Sequence, residues 1–156
     1  MLRPLSLVTA LAISLGLACG GGDGDATATI VVIGGEGERV ELTVELARTA
    51  GERSLGLMFR EELAEDDGML FVFPGDTEAG FWMKDTLIPL SIAFIAADGT
   101  ILDIQDMEPL SEDTHRPPEA YRYALEVNQG WFPRNGFDVG DRVEIPDSVS
   151  GATARE

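Results

Sequence analysis

Hydrophobic residues in this chain recur mainly with the two-residue period of strands. Val40, Leu42, Val44 and Leu46 alternate with Glu41, Thr43 and Glu45, as expected of a strand with one face in a core. Thr29 to Ile33 is β-branched, and Met69 to Phe73 is a near-continuous apolar run stopped by Pro74-Gly75. Gly80 to Lys84 reads as a further strand, as do Leu90 to Ile95, Ile101 to Met107, Tyr121 to Val127 and Arg142 to Ile145. Ala96-Ala97-Asp98-Gly99 separates two of them with a hairpin turn, because Asp-Gly suits turns with positive φ. Only one stretch has helical spacing. Thr49 and Glu52 stand as a capping box, and Leu55, Met58, Phe59 and Leu63 fall on one side after it, before the acidic loop Glu65 to Gly68. The pattern predicts a mainly β protein, a compact β-sandwich or β-roll of about seven or eight short strands with one short helix.

Length and composition fit that picture. The 156 residues suit one domain, and an apolar share of 44% can furnish a core. A formal charge of −17 repels phosphate backbones, so nucleic acid is excluded as a general partner.

The ends of the chain break the strand pattern. Met1-Leu2-Arg3 and the apolar stretch Leu5 to Leu17 have the layout of a signal peptide and are short for a membrane span. Leu15-Gly16-Leu17-Ala18-Cys19, followed by Gly20-Gly21-Gly22-Asp23, resembles a bacterial lipoprotein processing site. That resemblance implies cleavage before Cys19, lipid on Cys19, and an exported chain anchored to a membrane on its periplasmic or extracellular side. The expected organisation is a signal peptide at 1–18, a lipidated cysteine and flexible linker at 19–28, one domain at 29–147 and a disordered tail at 148–156. Cys19 is the sole cysteine, so no intramolecular disulfide can form.

Taken in order, Arg53-Ser54-Leu55-Gly56-Leu57-Met58, Arg60, Gly68-Met69-Leu70-Phe71-Val72-Phe73 and Phe81-Trp82-Met83-Lys84 form a recognisable series. Thr86, Pro89-Leu90, Asp98-Gly99, Leu125-Glu126, Gly130 and Gly140-Asp141 continue it. The series is similar to the domain of unknown function 192 family of prokaryotic proteins. The resemblance implies a compact, mainly β fold with one short helix, and it brings no activity with it. Many members carry aspartate at the position of Ser91 and often near Ala96 or Ala97, acids that this chain lacks.

The candidate chemistry gathers at the charged end of the aromatic block. Arg60, Lys84, Thr86 and Glu126 beside Trp82 and Met83 form the expected ligand-binding cleft, with the indole as a stacking wall and the cations as charge-assisted donors. The blander reading pairs Lys84 with Glu126 across strands and has Arg60 bond loop carbonyls to anchor the helix. On the leading expectation the protein is a non-catalytic module for a small-molecule ligand. One alternative is an enzyme on a small envelope substrate, with Glu126 as acid or base and Arg60 and Lys84 stabilising negative charge. The other is a protein-interaction module presenting Trp131-Phe132-Pro133. Met58, Met69, Met83 and Met107 with His115 lack the spacing of a metal motif; the methionines read as core filler and His115 as an exposed residue of a polar loop, so no metal or cofactor is expected.

Overall fold

The computed structural model describes residues 27–150. The expected signal peptide, Cys19 and most of the linker lie outside the described residues, as does the tail from 151 onward.

Seven strands form one sheet: β1 Thr27–Ile33, β2 Arg39–Ala47, β3 Asp67–Thr77, β4 Leu90–Ile95, β5 Ile101–Met107, β6 Tyr121–Asn128 and β7 Arg142–Glu144. Their order across the sheet is β5-β4-β6-β3-β2-β1-β7. Every neighbouring pair is antiparallel except β2 with β3. A parallel pair needs a crossover connection, and the segment from 48 to 66 supplies it, carrying helix α1, Ala50–Leu55. The architecture is therefore mainly β, as expected, and the sheet curls into a half-barrel instead of splitting into two layers. The curl brings its two edges together at one end. Ile101 N–H donates to Asp141 O at 2.8 Å, Gly140 N–H to Ile101 O at 2.9 Å and Val143 N–H to Gly99 O at 2.8 Å.

Alternation along the strands sorts the core into two clusters, one on each face of the sheet. Leu42, Val44, Leu70, Val72, Ala93, Leu125 and Val127 belong to one. It is closed by helix α2, Trp131–Arg134, whose Trp131 and Phe132 are fully buried. Met69, Phe71, Ile92, Phe94, Tyr121 and Ala124 belong to the other, together with Leu57 and Met83 from the loops above them. The central strands β4 and β6 are buried on both faces, which is why they read as continuous apolar runs.

Among the described residues three short helices are present where one was expected; the third, α3, is Asp147–Ser150. It turns Ser148 to Ser150 into a helical turn with Val149 buried, where a disordered tail was expected. Thr27 and Ala28, expected in the linker, are the first residues of β1.

Two local expectations are corrected. The helix is capped as predicted, with Thr49 Oγ1 accepting from Glu52 N–H at 3.2 Å and Glu52 Oε2 accepting from Thr49 N–H at 2.8 Å. It stops after Leu55 instead of running to Leu63, and none of its own residues is buried. Leu55 and Phe59 point to solvent, and Leu57 takes the core position instead. Gly80 to Lys84 is not a strand of the sheet. Phe81 forms an isolated two-residue bridge with His115, and Met83 N–H reaches Ser111 O at 2.8 Å. The segment lies as a flap over the second cluster, to which Phe81 and Met83 contribute.

Candidate functional site

The flap and α1 do not close over the sheet completely. Between them a cavity of about 370 Å³ remains. Phe71 and Phe73 enter it from β3 and Glu126 from β6. Arg53, Ser54 and Leu55 come from α1, Gly56 to Met58 from the turn after it, and Ala79 to Trp82 with Thr86 from the flap. Edge-to-face packing fixes the aromatic wall, with ring centroids 4.9 Å apart for Phe71 and Phe81 and 5.9 Å for Phe81 and Phe94. The Tyr121 hydroxyl donates to Ala79 O at 2.8 Å and so ties the flap to β6. Burial raises the phenol's pKa, which keeps it a donor.

Glu126 is the anomaly of this site. It lies in register with Met69 on β3 and Ile92 on β4, so its side chain stands among apolar neighbours and is 4% exposed. Among the described residues no hydrogen bond or ion pair reaches its carboxyl, whose oxygens are not sealed in the core but open to the cavity. Burial pushes its pKa up to about 8, and no neighbouring cation holds it down.

Of the six residues expected to form the cleft, the structure brings Trp82, Thr86 and Glu126 to one cavity. The other three are elsewhere. Met83 is 1% exposed and packs in the core, where its unbranched side chain fills space. Arg60 pairs with Glu45 at 2.6 Å on a half-exposed surface, an arrangement worth about 0–1 kcal/mol. Lys84 is exposed, with Nζ 5.3 Å from the centre of the Trp82 ring, and makes no pair with Glu126. The expected cross-strand ion pair fails because Lys84 is not on a strand at all; it precedes Asp85, which turns the chain at φ 56°.

The cation that does line the cavity is Arg53, which the sequence reading placed only in the family series. Its Nη1 donates to Val72 O at 3.1 Å and to Arg48 O, and its guanidinium lies 5.0 Å over the Phe73 ring. The role of helix anchor through loop carbonyls, expected of Arg60, belongs to Arg53. Phe71, Phe73 and Phe81 were also missed as wall residues, since a core phenylalanine and a cavity-lining one have the same sequence pattern. Glu126 carried a readable signal, an acid inside a strand apolar at every other position from Tyr123 to Val127.

The expected interaction loop is overturned. Trp131 and Phe132 are each 0% exposed. Trp131 stacks on Phe137 at 5.5 Å, and its indole N–H donates to Asp66 Oδ1 at 3.1 Å, so the segment is a core plug. The methionines considered for a soft metal pack likewise, with Met69, Met83 and Met107 buried in the second cluster. His115 Nδ1 lies 3.0 Å from Gln105 Oε1.

A family model described as DUF192, "Uncharacterized ACR", matches residues 31–145. Two solved structures are similar, each over about three quarters of the chain. One is a candidate transcription regulator from Sinorhizobium meliloti 1021, with 42% identity and a TM-score of 0.75, covering 76% of this chain and 93% of that one. The other is a protein of unknown function from Novosphingobium aromaticivorans DSM 12444, with 37% identity and a TM-score of 0.73, covering 76% of this chain and 85% of that one. No curated protein matches.

Proposed function

We propose, from the premise that this chain belongs to the DUF192 family, that it is a membrane-anchored module that binds a small molecule without transforming it. One observation carries the reading. A carboxyl with no partner is costly inside an apolar wall, and Glu126 lacks one while lining a cavity large enough for a metabolite. Such a group is held ready for something from outside. The enzyme alternative asks for Arg60 and Lys84 beside Glu126, and both are engaged away from it. The one cation in the wall, Arg53, already serves two backbone carbonyls. A role in transcription, suggested by one similar structure, finds no support in a chain of net charge −17, which repels DNA.

To test the binding, small molecules that co-purify with the full chain are identified by mass spectrometry. Ser54→Trp, at an exposed position of the cavity lip, fills the space without touching the core. A recurrent metabolite should be found with the wild type and be lost in the variant. Equal recovery from both removes the cavity as a binding site.

The anchor is supported by the run before Cys19 and by the short reach from Cys19 to the first strand at Thr27, at most ~30 Å when extended. Such a tether would hold the domain close to the bilayer. Cys19→Ser should move the protein from the membrane fraction to the soluble exported fraction. An unchanged distribution overturns the lipid anchor.

A further inference from the structure

The chemistry of the wall says what the unpaired carboxyl is for. A buried acid surrounded by apolar groups is satisfied either by keeping its proton or by receiving a cation. Four of the side chains that line this cavity are aromatic, namely Phe71, Phe73, Phe81 and Trp82. Ring faces attract ammonium and guanidinium groups through their quadrupole, more strongly where water is excluded. Two of the rings already hold cations of the protein itself, Phe73 that of Arg53 and Trp82 that of Lys84. We infer that the cavity is a receptor for an organic ammonium ion, whose charged head is seated among the rings against the Glu126 carboxyl. The inference rests on the binding reading above and names the class of its ligand.

Other ligand classes fit less well. An anion would have to compete with the Val72 and Arg48 carbonyls for the Arg53 guanidinium. An apolar neutral molecule would leave the carboxyl unpaired. The volume of about 370 Å³ lies at the small end of ligand cavities, suiting a compact head group on a short chain. The net charge of −17 attracts cations to the protein as a whole.

Binding of an ammonium ion exchanges charge for charge. The Glu126 proton leaves for solvent, the carboxylate stays, and the ammonium ion replaces the proton as its partner. Few other charges face the group. Its strand neighbours Met69 and Ile92 are neutral, as are Trp82 and Thr86 of the flap. Arg53 enters from α1, and Lys84 lies over Trp82. Affinity should therefore rise with pH until the carboxyl is ionised in the free protein, near 8.

The test titrates the full chain calorimetrically with choline and with 3,3-dimethylbutan-1-ol, its uncharged isostere, at pH 6, 7 and 8. Choline should bind at least about tenfold more tightly than the alcohol at pH 8. Its affinity should rise up to about tenfold for each pH unit between 6 and 8, with a proton released on binding. Glu126→Gln, which keeps the shape of the side chain, should lose both the preference and the pH dependence. Should the alcohol bind as well as choline, or the preference survive in Glu126→Gln, the ammonium assignment falls and the cavity remains a site for another class. Should neither probe bind, and Ser54→Trp co-purify with the same molecules as the wild type, the binding reading fails with it.

Discussion

Position 126 shows how one side chain can set the pH response of a fold. The unfolded carboxyl releases its proton near the ordinary value of 4.5, and the folded one near 8. Between these values the folded state holds more protons than the unfolded state, so stability falls as pH rises. The contribution is fully present below about 4.5 and is lost as pH climbs through about 8, at up to ~1.4 kcal/mol per pH unit. Many other acids titrate in this chain, so the difference between wild type and Glu126→Gln isolates the term. In urea unfolding, the wild type should lose stability relative to the variant between pH 5 and pH 8. A difference that stays constant over that range would show that Glu126 is not buried uncharged. The residue scale also shows where the backbone is under strain. The three non-glycine residues with positive φ among the described residues are Phe59, Asp85 and Leu110. Phe59 N–H donates to Asp85 O at 2.8 Å, and Leu110 N–H donates to O of the next residue, Thr86, at 3.0 Å. Such conformations cost energy and persist only where the surroundings enforce them. Here they brace the flap that carries Trp82 and Thr86 over the cavity.

Among the elements, the β4–β5 turn does the most for its size. Gly99 has φ +92°, and a Cβ there would stand 2.4 Å from Val143 O. The same residue accepts the Val143 N–H bond that ties the hairpin to β7. Gly99→Ala should therefore destabilise the protein by about 1–3 kcal/mol. Gly75→Ala, where a Cβ meets nothing within 4 Å, is the control and should change little. Equal urea midpoints for the two variants would mean that the junction of the edges carries no stability. This turn was legible in the sequence because Asp98-Gly99 has few other uses between two apolar runs. Most strands were legible for a similar reason, since alternation such as that of Val40 to Leu46 has one structural meaning. The helix after Thr49 was legible at its start, where the cap is chemical, and misread at its end. Leu55, Met58 and Phe59 have helical spacing, yet Gly56 ends the helix and Leu57 becomes the anchor. The flap was misread because Phe81 to Met83 has a strand's composition and no ladder to join. The expected pairing of Lys84 with Glu126 across strands fell with that strand, while Trp82, Thr86 and Glu126 do reach one cavity.

The described residues form one curled sheet in which sequence order and spatial order diverge. Strand β6 arrives late in the chain and lies inside the sheet, between β3 and β4. Before it, the chain can form the three-stranded unit β1-β2-β3 and the separate hairpin β4-β5, each with an unpaired inner edge. Neither has a closed core, because Leu125, Val127 and the α2 plug belong to one cluster and Tyr121 and Ala124 to the other. Seam, cavity and both clusters therefore wait for residues beyond 120. If the chain is exported N-terminus first, as proposed, it would gain from this order. It would remain pliable until nearly all of its length had passed, with the strand that completes the fold among the last to cross.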